Sequence, residues 1–187
     1  IGAHPSYPDP KNFGRKSLKL TKEVLYQSIE QQLSVLINQL HSEEIHHVKP
    51  HGALYHDCNS NDQIAKILLH VIKSLCPNVV IVTAPKSILE KKALKMGFTV
   101  WTEAFLDRAY QDDGRVVPRS EKNALLNQPS QLIKRFQNLT QKHGVFSVNN
   151  NWIPLKVRTF CIHGDHIDAA KHLKEVLKYC IKSNSKL

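Results

Sequence analysis

The segment Val79-Val80-Ile81-Val82 decides the fold of this 187-residue chain. Four consecutive apolar residues are typical of a strand whose two faces are both covered by helices. Apolar residues at helical spacing precede the segment and end near Pro77. After the segment, Ser87 caps a short basic helix that Gly97 ends. A buried strand between two helices indicates an α/β fold with parallel strands.

Strands and helices alternate in the same way on both sides of this segment. Ser60 and Gln63 fit a capping box at the start of the preceding helix. Residues 111–128 are polar and irregular. Because crossovers between parallel strands are right-handed, the loops that follow the strands share one face. The other predicted elements are helices beginning at Thr21, Ser130 and about Asp165, strands at 45–48, 98–102 and 157–162, and a short strand within 145–152.

The composition narrows the class of protein. The formal net charge is +10, but lysines recur at helical spacing, as at Lys171, Lys174 and Lys178, which indicates solvated helix faces rather than a nucleic-acid surface. No apolar stretch is long enough to span a membrane, and the first residues lack the features of a signal peptide. The four cysteines form no C-x-x-C pair, which favours reduced thiols in a cytoplasmic protein. We therefore expect one domain over residues 1–187, without nucleic-acid or membrane partners.

Four short polar motifs carry the candidate chemistry. Each combines ionisable side chains with glycine, proline or another small residue, and at least three of them follow a predicted strand directly. Loops in that position form the active sites of parallel sheets and barrels. The motifs are Gly2-Ala3-His4-Pro5, Lys49-Pro50-His51-Gly52, Phe105-Leu106-Asp107-Arg108-Ala109-Tyr110 and Cys161-Ile162-His163-Gly164-Asp165.

The histidines and carboxylates of these motifs are the candidate catalytic residues. His51 is predicted either to act as a general acid or base, or to hold its loop by hydrogen bonds. Adjacent side chains of an extended segment point to opposite faces, so Asp107 and Arg108 face one ligand only if the loop bends. His163 and Asp165 are expected to enter one pocket, while Asp165 is also a candidate cap for the following helix.

The sequence leaves open whether a metal or a nucleotide is bound. No H-x-x-x-H or H-x-H spacing is present to mark a metal site. There is also no G-x-x-x-x-G-K-[ST] motif, so a nucleotide would be bound without a P-loop. Four side chains nevertheless offer nitrogen and oxygen ligands for a divalent metal, namely His4, His51, His163 and Asp165.

Six motifs occur in one order along the chain: IGAHPSYPD (1–9), NFGR (12–15), HVKPHGALY (47–55), FLDRAY (105–110), VVPRS (116–120) and CIHGD (161–165). Together they resemble the LamB/YcsF family, whose members are the A subunits of prokaryotic 5-oxoprolinase. The resemblance runs from Ile1 to about Leu177 and implies a distorted (β/α) barrel similar to the glycoside hydrolase/deacetylase superfamily. Family members begin with a further acidic strand and a Gly-Phe-His-Ala-Gly-Asp type loop, so the first βα units are expected to be missing here.

The resemblance also implies an activity, which is the ATP-dependent opening of 5-oxo-L-proline (pyroglutamate) to L-glutamate with release of ADP and phosphate. ATP would be a co-substrate, and separate B and C subunits would be partners. The alternatives are a metal-dependent deacetylase or hydrolase of a carbohydrate-like substrate, a non-catalytic basic binding module, and an inactive fragment. The expected site residues are His51, Asp107, His163 and Asp165 for proton transfer, and His4, Lys49, Arg108 and Arg119 for binding the substrate and its anions.

Overall fold

The computed structural model describes residues 1–40, 44–165 and 168–182. The chain forms two compact units, Ile1–Thr102 and Glu103–Leu187, and each has its own hydrophobic core. The strands of the first unit pair in parallel in the order β1-β2-β3-β4, where residues 99–102 of β4 make the last pairing. These strands are β1 (Gly2–Ala3), β2 (His47–Val48), β3 (Val80–Thr83) and β4 (Thr99–Phe105).

Helices connect the strands of the first unit. All four residues of β3 are buried, as the apolar segment at its centre predicts. Two of the expected caps are confirmed, because the side chain of Thr21 accepts a hydrogen bond from Val24 N and that of Ser87 accepts one from Glu90 N. The helices are α1 (Lys22–Gln39), α2 (Gly52–Ser60), α3 (Asp62–Leu75) and α4 (Ile88–Lys95), and a short 3-10 helix spans Pro10–Asn12.

One prediction in this unit is wrong. Ser60 does not cap α3, because it is the last residue of α2 and its hydroxyl donates to the carbonyl oxygen of His56. Asn61 is the cap instead, and its side chain accepts hydrogen bonds from the backbone N–H groups of Gln63 and Ile64. A Ser/Gln pair at capping-box spacing does not itself show whether the serine already belongs to a preceding helix.

The second unit pairs residues 103–105 of β4 in parallel with β7 (Thr159–Cys161). Its helices are α5 (Pro129–Lys142) and α6 (Ala169–Lys182). A hairpin of β5 (Gly144–Phe146) and β6 (Trp152–Pro154) lies between α5 and β7 in the chain. The core of this unit includes fully buried side chains such as Leu132, Phe136 and Leu139.

The structure corrects two boundaries in the second unit. The single short strand expected within 145–152 is an antiparallel hairpin, because residues 147–151 form its turn. The last helix begins at Ala169 rather than near Asp165, so Asp165 lies in a turn and does not cap α6. Part of the expected start of that helix, residues 166–167, falls outside the described residues.

The alternation of strands and helices is confirmed, and so is the parallel pairing that it predicts. The stretch 111–128 is irregular, as expected, and its described contacts include isolated bridges such as Arg108 with Leu125 and Tyr110 with Val116. Among the described residues, no helix has the length and apolar character needed to cross a membrane.

Candidate functional site

Asp107 and His163 follow the carboxyl ends of two paired parallel strands. Strand β4 ends at Phe105 and strand β7 at Cys161, so each side chain stands two residues beyond its strand. His163 Nδ1 lies 3.0 Å from both carboxylate oxygens of Asp107, and the His163 backbone N–H donates to Asp107 Oδ2 over 2.9 Å. We call this pair the Asp107–His163 dyad.

The dyad holds Asp107 in its ionised form. The residue is only 6% exposed, and burial by itself would raise the pKa of its carboxyl group. The hydrogen bonds from the His163 side chain and backbone, together with the charge of the imidazole, outweigh burial and leave the pKa of Asp107 below its ordinary value. At neutral pH Asp107 is therefore a carboxylate that can only accept hydrogen bonds.

This carboxylate selects one tautomer of His163. Since Asp107 accepts, Nδ1 of the neutral ring carries the proton, and Nε2 keeps a lone pair. Within the described part of the chain, Nε2 makes no hydrogen bond. The Phe105 ring stacks on the imidazole with centroids 5.2 Å apart and planes 18° apart, which limits rotation of the ring. A neutral imidazole oriented by a carboxylate has the arrangement of a general base.

Buried contacts fix the loop that carries Asp107. The backbone N–H of Leu126 donates to the Asp107 carbonyl, and the Arg108 guanidinium, on a residue 4% exposed, donates to the carbonyl oxygen of Val117. Arg135 of α5 donates to the Arg108 carbonyl and lies over the Tyr110 ring, 5.1 Å from its centroid. Arg108 thus contributes to the loop's structure with the group that was expected to bind substrate.

Tyr110 completes the support of this loop. Its hydroxyl oxygen accepts a hydrogen bond from the backbone N–H of Phe105 over 2.8 Å. Burial raises the pKa of Tyr110 to about 12, so the phenol stays neutral at physiological pH. The tyrosine therefore ties the end of β4 to the loop that carries Asp107.

Arg119 and Asp165 form a second pair in the same unit. Arg119 Nη1 lies 3.1 Å from Asp165 Oδ2, and Nη2 lies 3.4 Å from Oδ1. The side chains are 27% and 32% exposed, so solvent screens the pair and both groups remain accessible.

In the first unit, the structure brings together His4, Lys49 and His51, which follow β1 and β2. His4 Nδ1 lies 2.6 Å from the Lys49 carbonyl oxygen, and His4 Nε2 lies 3.0 Å from His51 Nδ1. His51 Nε2 in turn lies 2.9 Å from the Phe13 carbonyl oxygen. The interpretation of His51 as a residue that holds its loop agrees with this geometry, and its catalytic role stays a prediction.

A cavity of about 470 Å³ lies beside this histidine pair. Its wall includes His4, His51, Phe13 and Gln32. Gln32 of α1 accepts from the backbone N–H of Ser6 over 3.0 Å and donates to the Ser6 carbonyl over 2.9 Å, which fixes the loop after β1. The volume lies in the range of small-molecule sites.

The sequence did not single out three residues that support these sites, namely Phe105, Gln32 and Arg135. Phe105 directly precedes the Leu106-Asp107 step at the end of a strand, and that position was a usable signal for a residue packing beside the site. Gln32 and Arg135 lie on helices at ordinary polar positions, so only the folded chain reveals their contacts.

No three His, Cys, Asp or Glu side chains are grouped so that they could hold a metal ion in residues 1–40, 44–165 and 168–182. A metal therefore stays an untested expectation. The individual roles of the eight expected site residues also stay predictions. What the structure adds is their grouping: His4, Lys49 and His51 in one unit, and the Asp107–His163 and Arg119–Asp165 pairs in the other.

The chain is similar to proteins of known family over its whole length. Residues 1–187 match the model of the LamB/YcsF family. The 5-oxoprolinase A subunit of Pyrococcus abyssi is 35% identical over 183 residues, which is 95% of this chain and 72% of the relative. The corresponding A subunit of Staphylococcus saprophyticus 5-oxoprolinase is 34% identical over 184 residues, which is 97% of this chain and 73% of the relative.

The fold is also similar to a solved structure, that of the lactam utilization protein from Thermus thermophilus. The TM-score is 0.88 at 30% identity, and the match covers 98% of this chain and 74% of that one. The expected α/β fold class and the expected family resemblance are both confirmed.

Proposed function

Because the chain belongs to the LamB/YcsF family, we propose that it is the A subunit of a 5-oxoprolinase. The reaction is hydrolysis of the lactam bond of 5-oxo-L-proline to give L-glutamate, coupled to conversion of ATP to ADP and phosphate. Two further subunits, B and C, complete the enzyme. The names of the relatives and of the solved lactam utilization protein support the substrate class. The four free cysteines support a reducing, cytoplasmic setting.

The observation that carries this proposal is the Asp107–His163 dyad. Hydrolysis of a lactam needs a base that removes a proton from water and an acid that protonates the departing ring nitrogen. His163 can do both in sequence through Nε2, since Asp107 holds the proton on Nδ1. The buried carboxylate also stabilises the imidazolium that forms between the two transfers.

Coupling to ATP follows from the chemistry of the substrate. An unstrained lactam is a poor electrophile, and transfer of the γ-phosphoryl group to its carbonyl oxygen, with release of ADP, makes an activated imidate. Water then adds to that carbon while His163 takes its proton. The carbon–nitrogen bond breaks, the nitrogen receives the proton, and the remaining acyl phosphate is hydrolysed by a second water to glutamate and phosphate. Lys49, Arg108 and Arg119 stay the predicted anion-binding residues for this step.

The test is reconstitution of the chain with B and C subunits from the same source. Glutamate and phosphate release are measured with 5-oxoproline and ATP together, and with each of these components or this chain omitted in turn. We expect release only from the complete mixture. Glutamate release without ATP contradicts the coupled mechanism, and release without this chain contradicts its role as a required subunit.

A further inference from the structure

We propose that His4 and His51 share one proton more than two neutral histidines carry, and that this cationic pair makes the adjoining cavity a site for a small carboxylate. The proposal rests on the proposed function in one respect, because 5-oxoproline is the expected carboxylate. The protonation of the pair follows from the hydrogen bonds alone.

The outer ends of the pair fix two protons. A carbonyl oxygen only accepts hydrogen bonds, so the 2.6 Å contact with the Lys49 carbonyl requires a proton on His4 Nδ1. The 2.9 Å contact with the Phe13 carbonyl requires a proton on His51 Nε2 for the same reason. Each ring is thereby assigned one N–H group from its surroundings.

The inner contact requires a third proton. A neutral imidazole has only one N–H, so two neutral rings would direct lone pairs at each other across the 3.0 Å between His4 Nε2 and His51 Nδ1. One proton placed between these nitrogens turns the repulsion into a charge-assisted hydrogen bond. The rings meet edge to face with centroids 4.8 Å apart, which is the contact that such a bond produces.

The charges around the pair leave the cavity wall positive. The Arg15 guanidinium lies 5.1 Å from the centroid of the Phe13 ring, and the Lys49 ammonium lies 6.0 Å from that of Tyr55. Asp9 also lines the cavity, and its carboxylate accepts hydrogen bonds from the side chain and backbone of Asn12. The remaining charged or titratable neighbours are Tyr7 and Asp57, which are hydrogen-bonded to each other over 2.7 Å, whereas α1 contributes the uncharged Ser28, Gln31 and Gln32.

This balance favours a small organic anion over a neutral molecule. The volume of about 470 Å³ accommodates a five-membered ring with one carboxylate, and amide and hydroxyl groups of the wall match a lactam. The carboxylate is attracted by the shared charge of His4 and His51 rather than by a flexible lysine.

The protonation state is tested by nitrogen-15 NMR of the imidazole groups in the whole chain at neutral pH. We expect three N–H protons on the His4–His51 pair, with one ring protonated at both nitrogens. Two protons, one on each ring, would overturn the proposal. This measurement uses the unaltered chain, so it does not depend on any variant being folded.

The ligand is tested by calorimetric titration with 5-oxoproline and with pyrrolidinone, which is the same lactam without the carboxylate. The wild type is expected to bind 5-oxoproline more tightly and to shift the His4 and His51 signals. His51→Gln keeps an amide that can hydrogen-bond but removes the charge, and we expect roughly tenfold weaker binding of 5-oxoproline with little change for pyrrolidinone. The matched control is His70→Gln on the exposed face of α3.

The outcomes separate this site from the proposed function. Equal affinity of the wild type for the two lactams, or unchanged affinity in a folded His51→Gln, would overturn the carboxylate site. Either result leaves ATP-dependent glutamate release by the reconstituted enzyme intact if the Asp107–His163 dyad carries the reaction. Loss of carboxylate preference in His51→Gln, with the preference kept in His70→Gln, supports the site.

Discussion

The His4–His51 pair and the Asp107–His163 dyad use the same residue type at the same kind of position, yet they differ in what the imidazoles can do. All four ring nitrogens of His4 and His51 are engaged, two with backbone carbonyls and two with each other. His163 is held at Nδ1 by a carboxylate, and Nε2 is left outside the hydrogen bonds of the described chain. The first arrangement fixes a charge, and the second provides a base.

The comparison shows that the partner of a histidine determines its chemistry more than its place after a strand does. A carbonyl oxygen demands an N–H from the ring, whereas a carboxylate both demands that N–H and stabilises a positive ring. Both sites lie in loops that rigid strands position, as expected for parallel sheets.

The largest expected effect comes from replacing the carboxylate of the dyad. In Asp107→Asn the amide can donate to Nδ1, which shifts the imidazole proton to Nε2 and removes the base. We expect the turnover number for glutamate release by the reconstituted enzyme to fall by roughly 10³–10⁴. The matched control is Asp113→Asn, an exposed carboxylate of the same unit, which should turn over like the wild type. A folded Asp107→Asn with wild-type turnover would remove the distinction between the two histidine sites.

A second prediction compares the glycines that follow His51 and His163. Gly52 has a φ of +57°, and an added Cβ would meet the carbonyl oxygen of Gly14, so Gly52→Ala should lower the free energy of unfolding by about 1–3 kcal/mol. No atom lies within 4 Å of a Cβ added at Gly164, and Gly164→Ala should change stability by no more than about 0.5 kcal/mol. Urea denaturation of both variants measures the difference, and equal losses would show that the two loops are equally constrained.

The dyad also makes stability depend on pH. The pKa of Asp107 lies below its ordinary value of 3.8 in the folded chain, so its carboxylate stabilises the fold above that value. This contribution is lost as the pH falls through the lower, native pKa. The difference in unfolding free energy between wild type and Asp107→Asn should therefore shrink between about pH 5 and pH 2. A difference that is constant, or that grows on acidification, contradicts the ionised dyad.

The smallest expected effect concerns Arg119 and Asp165. Because both side chains are about one-third exposed, a double-mutant cycle with alanine should give a coupling energy of only about 0.2–1 kcal/mol in stability. Raising the salt concentration should reduce that coupling further. A coupling of several kcal/mol would instead make this pair, rather than the dyad, the main structural link of the second unit.

The regular elements could largely be predicted from the sequence. The apolar stretch of β3 and the capping residues Thr21 and Ser87 act locally, so their structure follows from short-range patterns. Helix α2 was missed because its residues, GALYHDCNS, have no apolar stripe at helical spacing, and its stability comes from packing.

The grouping of site residues was harder to predict than their identity. His4 and His51 are 47 positions apart, and Asp107 and His163 are 56 apart. Strand ends bring such residues together, which the alternation of elements anticipates. The burial of the Arg108 side chain against the Val117 carbonyl depends instead on an irregular loop, and no periodicity reports the path of such a loop.

The most direct test of the central claim is glutamate release by the reconstituted enzyme carrying His163→Ala, with and without added imidazole. The account predicts a loss of turnover of at least about 10², without a change in melting behaviour, and partial recovery with imidazole because only the base is missing. Turnover close to that of the wild type in a folded His163→Ala enzyme would contradict the claim that the Asp107–His163 dyad carries the reaction.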